Sequence, residues 1–260
     1  MNGPVVVGVD GSASSLAAVE AAALEAERRG TELHLAHALA WAMAPVQPGV
    51  PPWDPDGGGL RESLNVRLDE AERRARKAAP HVTITSDVLL GDAAHVLEAE
   101  SRTASLTVVG DRQATGLTGR LAAHGRAPLL VVRGRTERHG PVVLADATSA
   151  DAAEFAFAEA AERGAELLVL RTRADALRRP LTRLRKKYPG VTVQDRRTRR
   201  RTGHALVRAS DGAQLVVIAS RHRALEMAPG SPGRTLVGRA HCPVAVVPAR
   251  TMRTARTARP

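Results

Sequence analysis

Aromatic residues are scarce in this chain: among 260 residues there are two Trp, two Phe and one Tyr. A protein that grips single-stranded nucleic acid by stacking bases on aromatic rings is therefore poorly supported. Cysteine is rarer still. The single Cys242 removes any intrachain disulfide framework and any Cys-rich zinc or iron–sulfur site. Nine histidines are present, but none has metal-ligand spacing. His34 and His37 lie three apart in an extended pattern and so point to opposite faces, and His241 diverges from Cys242. No structural metal is expected. No stretch approaches the roughly 18 apolar residues of a membrane span. The opening MNGPVVVGVDGS lacks a basic region followed by a long apolar run, so it does not read as a signal peptide. The expectation is a cytoplasmic protein with no membrane partner.

What is present is ordinary globular composition, 43% hydrophobic and 25% charged, which argues against wholesale disorder. The length suits one large domain or two small ones. The charge is unusual, with 38 basic against 27 acidic residues and a net +11. It is also uneven. Residues 1–137 carry 14 basic and 17 acidic side chains, a net −3, whereas residues 138–260 carry 24 and 10, a net +14.

Short apolar runs alternate with helical patterns. PVVVGVD at 4–10 is too short for a helix, and the Asp-Gly-Ser-Ala-Ser that follows supplies turn and N-cap chemistry. Leu16, Val19, Ala23 and Leu24 recur at helical spacing until Gly30 stops the pattern. A strand over 31–38, a Pro- and Gly-dense loop over 41–59, a helix near 60–79, a strand at 81–90, a helix near 92–102 and strands at 105–110 and 128–133 follow. Such alternation predicts right-handed crossovers and parallel strands covered on both faces. The second half repeats the grammar. PVVLADATSADAAEFAFAEAAERGAELLVLR at 141–171 lines up with residues 4–38, and Asp146 takes the place of Asp10. A basic helix near 175–188, a strand at 191–195, a helix near 203–210 and strands at 214–220 and 243–248 complete it. The chain reads as a tandem duplication, with one unit over 1–137 and a second over 138–250. Residues 251–260 lack apolar periodicity and read as a basic disordered tail.

Three segments, VVVGVDGSASS opening an Ala-rich helix, LLGDAAHVLEAE before a strand ending at Gly110, and GSPGRTLVGRAHCPVAVV, resemble the universal stress protein family in its tandem two-domain form. The resemblance implies an α/β fold: two repeats of a five-stranded parallel sheet of order 3-2-1-4-5, flanked by helices and Rossmann-like. Ligands in such sheets bind beyond the carboxyl ends of the strands at the topological switch point. It further implies ATP, with Mg, beside an Asp after the first strand and a loop of the form Gly, two residues, Gly, nine residues, Gly, then Ser or Thr. The candidate nucleotide-binding residues are Asp10, Ala38, Gly110, Arg112, Asp146, Ala219, Gly230, Ser231 and Arg234. Both copies depart from the pattern. In the first, Gln113 replaces the second Gly and the nine-residue step lands on Ala123 and His124, too close to the strand for the last helix, which is expected to be missing. In the second, Ala219 and His222 replace the leading glycines, and seven residues instead of nine precede Gly230. The acidic half of a pocket is kept best in the first repeat and the anion-binding half in the second, where nucleotide binding is favoured.

Each of these residues also has a plainer role. Asp10 and Asp146 suit turns and caps, Ser12, Ser14 and Ser15 are caps rather than nucleophiles, and Gly230 with Ser231 is a turn and helix start. Arg196, Arg197, Arg199, Arg200 and Arg201, with Arg183, Arg185, Lys186 and Lys187, form a weak polyanion candidate. With 35 of the 38 basic residues Arg, a compositional origin and a solvated basic face compete with it. No nucleophile–base pair, acid–base pair or metal cluster supports catalysis, so the resemblance implies at most weak ATP hydrolysis. Two functions stand side by side: a non-catalytic stress-response regulator binding adenine nucleotide at a degenerate site, and a nucleotide-free module whose basic second unit binds an acidic protein partner. Nonspecific nucleic-acid binding is a weaker third. The apolar strands at 129–132 and 244–247 are exposed sheet edges unless paired, so the two units are expected to join through them as an internal pseudo-dimer, with further homodimerisation open.

Overall fold

A computed structural model describes residues 3–40, 59–111, 116–134, 139–145, 147–171, 179–198, 203–220 and 230–248. In the first repeat, Val5–Gly8 (β1) leads into helix Ala13–Arg29 (α1). The Ser12 hydroxyl caps that helix by accepting from the Ser15 N–H, and Gly30 closes it with a φ of 60° that suits a residue without Cβ. Then follow Leu33–Leu39 (β2), Gly59–Ala78 (α2), Ile84–Leu90 (β3), Ala93–Glu100 (α3), Leu106–Gly110 (β4), Leu117–His124 (α4) and Leu129–Val132 (β5). The second repeat comprises Val142–Leu144 (β6), Ala150–Glu162 (α5), Leu167–Arg171 (β7), Arg179–Lys187 (α6), Val193–Arg197 (β8), Gly203–Ser210 (α7), Leu215–Ser220 (β9), Pro232–Arg239 (α8) and Val244–Pro248 (β10).

One expectation is overturned here. The last helix of the first repeat is present, as α4, with Leu121 and Ala122 buried. Only six residues separate β4 from α4. A loop of the full family length would run past the helix start to its C-terminal residues Ala123 and His124. The boundary expected between residues 137 and 138 and the tail at 251–260 lie outside the described residues.

The strands form one ten-stranded sheet of order β3-β2-β1-β4-β5-β10-β9-β6-β7-β8. Within each repeat every neighbour is parallel and the order is 3-2-1-4-5, as the resemblance implied. The repeats meet through the two apolar last strands: β5 and β10 pair antiparallel, with Val131 opposite Val244 and Leu129 opposite Val246. Pairing removes two apolar edges at once, which is why these runs carry no charge. Helices α1, α2, α5 and α6 cover one face over a core containing Val5, Leu33, Phe157 and Leu167, and α3, α4, α7 and α8 cover the other over Val6, Leu129, Leu236 and Val244. Both cores run across the junction. Side chains bind it reciprocally: the Ser220 hydroxyl of β9 donates to the Ala122 carbonyl of α4, and Arg133 after β5 donates to the Val237 carbonyl of α8, each at 2.7 Å.

A second pair of reciprocal contacts is ionic. Glu25 and Arg29 of α1 correspond to Glu159 of α5 and to Arg163, the C-cap residue that follows it. Arg29 reaches Glu159 and Arg163 reaches Glu25, while Arg163 also holds Glu159 at 2.9 Å and Arg29 lies 3.6 Å from Glu25. Both carboxylates are buried. Desolvation, reinforced by the charge of Glu25, pushes the Glu159 carboxyl up to about 7, against the opposing pull of Arg163 and Arg29.

Candidate functional site

In the first repeat β1 lies between β2 and β4. Gly8 stands opposite Ala36 and Val7 opposite Val108, so the register brings Asp10, Ala38 and Gly110 together at the carboxyl ends of three adjacent strands. This is the crevice where the connections diverge to opposite faces of the sheet. Asp10 shapes its floor. Its Oδ1 accepts the Ser12 N–H at 2.8 Å, and its own N–H points to the Ser15 hydroxyl at 3.4 Å. Gly110 has a structural cause: a Cβ there would stand 2.5 Å from the Ser14 carbonyl oxygen, so only glycine lets the first turn of α1 pack on β4. Arg112 lies outside the described residues.

Two residues join this crevice that sequence reasoning did not assign to it. His37, on β2, is 6% exposed. It shares the sheet face of Leu33 and Leu35, which α1 and α2 cover. Its ring is hydrogen-bonded to the backbone of Val9, and among the described residues its Nδ1 has no partner. Burial, with a smaller contribution from Arg67, lowers its pKa below the usual histidine value, against Val9 and Asp10, so the ring is neutral at pH 7. Arg67, on α2, is exposed, and its methylenes lie against Gly11, 3.1 Å from where a Cβ would be. The sequence holds no signal for Arg67, because charges recur throughout α2. His37 stands beside Ala38, a candidate assigned from the resemblance, but its partnerless nitrogen is a product of packing.

In the second repeat Ala219 is buried at the end of β9, while Asp146 and residues 221–229 lie outside the described residues. Gly230 has a φ of 80° with open space where a Cβ would be, so its role is conformational. Ser231 is the N-cap of α8: its hydroxyl accepts the Arg234 N–H at 3.1 Å, and Pro232 opens the helix. The antiparallel junction sends the carboxyl ends of the two repeats to opposite edges of the sheet. The Asp10 half and the Gly230–Ser231 half therefore cannot complete one site within the chain.

Of the basic cluster, Arg196 and Arg197 are exposed on the edge strand β8, and Arg199, Arg200 and Arg201 lie outside the described residues. Part of the nearby charge is matched. Asp195 accepts from Arg171 at 2.5 Å and Arg185 at 3.3 Å, and Lys187 pairs with Glu154 at 2.5 Å. A groove of about 750 Å³ runs between the repeats, walled by Arg29, Ser105 and Arg126 on one side and Phe155, Tyr188 and Pro248 on the other. None of the carboxyl-edge candidates lines it.

Compared with known proteins, the chain matches the model of the universal stress protein family over residues 1–133 and 173–248. It is 29% identical to universal stress protein Rv2623 of Mycobacterium tuberculosis, covering 93% of this chain and 95% of that one. It is 28% identical to universal stress protein Rv1996 of the same organism, covering 93% and 94%. In three dimensions it is similar to a universal stress protein from Archaeoglobus fulgidus, with a TM-score of 0.71 over 95% of this chain and 96% of that one, at 15% identity.

Proposed function

Since the chain belongs to the universal stress protein family, we propose that it is a cytoplasmic regulatory protein without turnover of its own that binds an adenine nucleotide in the crevice of its first repeat. The observation that supports this reading is the convergence of Asp10, Ala38, Gly110 and the buried His37 at the carboxyl ends of β1, β2 and β4. The base and ribose end of a nucleotide suits a crevice with a carboxylate at its floor. The triphosphate end suits it less: six residues span β4 to α4, and Gly116 at the start of α4 makes no side-chain cap. In the second repeat, Gly230, Ser231 and Arg234 offer an alternative anion position at the start of α8.

Thermal denaturation of the full chain with and without ATP and Mg tests the proposal. A ligand at ten times its Kd stabilises by about 1.4 kcal/mol, a shift of roughly 2–4 °C at this chain length. Asp10→Ala is expected to abolish that shift, while Asp146→Ala and Ser231→Ala leave it in place. The reverse pattern would assign the site to the second repeat, and no shift at millimolar ATP would eliminate nucleotide binding. The second reading, an interaction module for an acidic partner, draws on the exposed Arg196 and Arg197 of β8. It predicts partner capture that fails when both arginines are replaced by serine.

A further inference from the structure

The groove of about 750 Å³ between the repeats lies where the antiparallel junction sets the carboxyl end of β10 beside the amino end of β5. Pro248, the last residue of β10, stands in its wall, so the chain that continues from β10 starts inside it. A second groove, about 640 Å³, shares Gly30 and Thr31 with the first and continues to His81 and Thr83, just ahead of β3. Pro128, Ser105, Pro4, Thr31 and Thr83 line one or the other, so together they follow the amino ends of β5, β4, β1, β2 and β3. Their lining is acidic. Asp151, Glu154 and Glu162 recur at a spacing that keeps them on one face of α5, and that face walls the first groove. Glu27 and Glu32 line the second. Among the described residues Glu27, Glu32 and Glu162 form no ion pair, while Glu154 is held by Lys187. Against these carboxylates stand Arg126 and Arg29, and the charge of Arg29 is matched by Glu159 and Glu25.

The sequence that continues from Pro248 is of the opposite sign. Residues 249–260, ARTMRTARTARP, lie outside the described residues; they carry Arg250, Arg253, Arg256 and Arg259 and no acidic residue. Their reach is sufficient. β3 is five strands from β10 in the sheet order, about 24 Å at a strand spacing of roughly 4.8 Å, and twelve residues span up to about 40 Å. Arginines three residues apart stand up to about 10 Å from one another along an extended chain, close to the rise of about 12 Å between Glu154 and Glu162 on their helix. A single exposed ion pair contributes little, but a tethered segment meets its groove at an effective concentration on the order of millimolar, so several weak pairs suffice. We propose that residues 249–260 run from Pro248 along these two grooves, with their arginines against the acidic face of α5 and the carboxylates of Glu27 and Glu32, and so strap the second repeat to the first.

Fluorescence anisotropy of the full chain, labelled near its C-terminal end, tests this. Cys242 is fully buried, so Thr257→Cys supplies the accessible thiol for a dye. In about 0.01 M salt, where the Debye length is roughly 30 Å, the dye should rotate with the whole molecule; in about 1 M salt, where it is roughly 3 Å, the anisotropy should fall by about half or more. Glu162→Arg and Glu32→Arg, at exposed positions that form no ion pair among the described residues, should each lower the low-salt anisotropy, and Asp69→Arg, exposed on α2 away from both grooves, should leave it unchanged. Far-UV circular dichroism checks that all three variants keep the fold. A low-salt anisotropy already as low as that in 1 M salt would overturn the inference, as would one that neither groove variant moves. If Asp69→Arg lowers it as much as Glu162→Arg, the segment is drawn to the acidic first repeat at large and the groove assignment fails. If it falls on dilution of the protein, the segment occupies the groove of a second copy and the strap within one chain is ruled out.

Discussion

At the scale of single residues, the crevice shows how a glycine that matches a ligand motif can be demanded by packing alone. Gly110 faces the Ser14 backbone so closely that Gly110→Ala would force β4 and α1 apart. A cost of about 1–3 kcal/mol is expected, the range for overpacking a well-filled interior. Urea denaturation without any ligand should show it as a lowered midpoint. The same substitution at Gly230 meets open space but requires φ at 80°, so its cost is strain rather than collision. Asp10 and Gly110 were legible because they follow apolar runs whose ends any α/β reading locates. Arg67 and His37 were not. Arg67 is 57 positions from Asp10, and only the crossing of α2 over the β1–α1 turn brings it to Gly11.

At the scale of elements, caps carry much of the local order. Ser231 satisfies one N–H at the start of α8, and Ser231→Ala should destabilise the unliganded protein by about 1 kcal/mol. Chemical denaturation of that variant also keeps a cap effect from being mistaken for lost ligand binding. The helices at Ser12 and Ser231 were visible in sequence because a hydroxyl, and at α8 a proline, mark their starts. Helix α4 was missed because it has no such mark. Gly116 makes no side-chain cap, and eight residues give the apolar spacing of Leu117 and Leu121 little length in which to stand out. Both outer strands are short of unbroken apolar surface. Arg196 and Arg197 on β8 and Asp87 on β3 place charge on the unpaired edges, which discourages edge-to-edge association. Part of the basic excess of the second repeat therefore has a structural use whatever its partner.

At the scale of the whole molecule, the junction is built twice over, once by β5 and β10 and once by the four charged residues of α1 and α5. Arg163→Ala removes the guanidinium that touches both buried carboxylates, and a loss of about 3–5 kcal/mol is expected, measurable by denaturant unfolding. The protonation of Glu159 gives the junction a pH dependence of definite sign. Its folded pKa, about 7, lies above its ordinary value of 4.5, so the folded state holds that proton more tightly than the unfolded chain. The resulting stabilisation is complete below pH 4.5 and is lost as pH rises through about 7. Glu25, Arg28, Arg29 and Arg163 are the charged groups around this network, and none of them is a histidine. The urea midpoint should therefore fall between pH 5 and pH 8, and Glu159→Gln should flatten that fall while leaving the contribution of every other titrating group in place.

Apolar periodicity and turn chemistry by themselves determined the element order, the duplication, the parallel sheets and the meeting of the two last strands, because each is written locally or repeated in kind. Tertiary structure alone decided what lies across from what. It set the halves antiparallel, which sends the two candidate pockets to opposite edges and forbids them from sharing one ligand. It also brought Glu25 to Arg163 and Arg67 to Gly11. These contacts join residues whose separation in sequence bears no fixed relation to their distance in space, and no period of two or 3.6 encodes them.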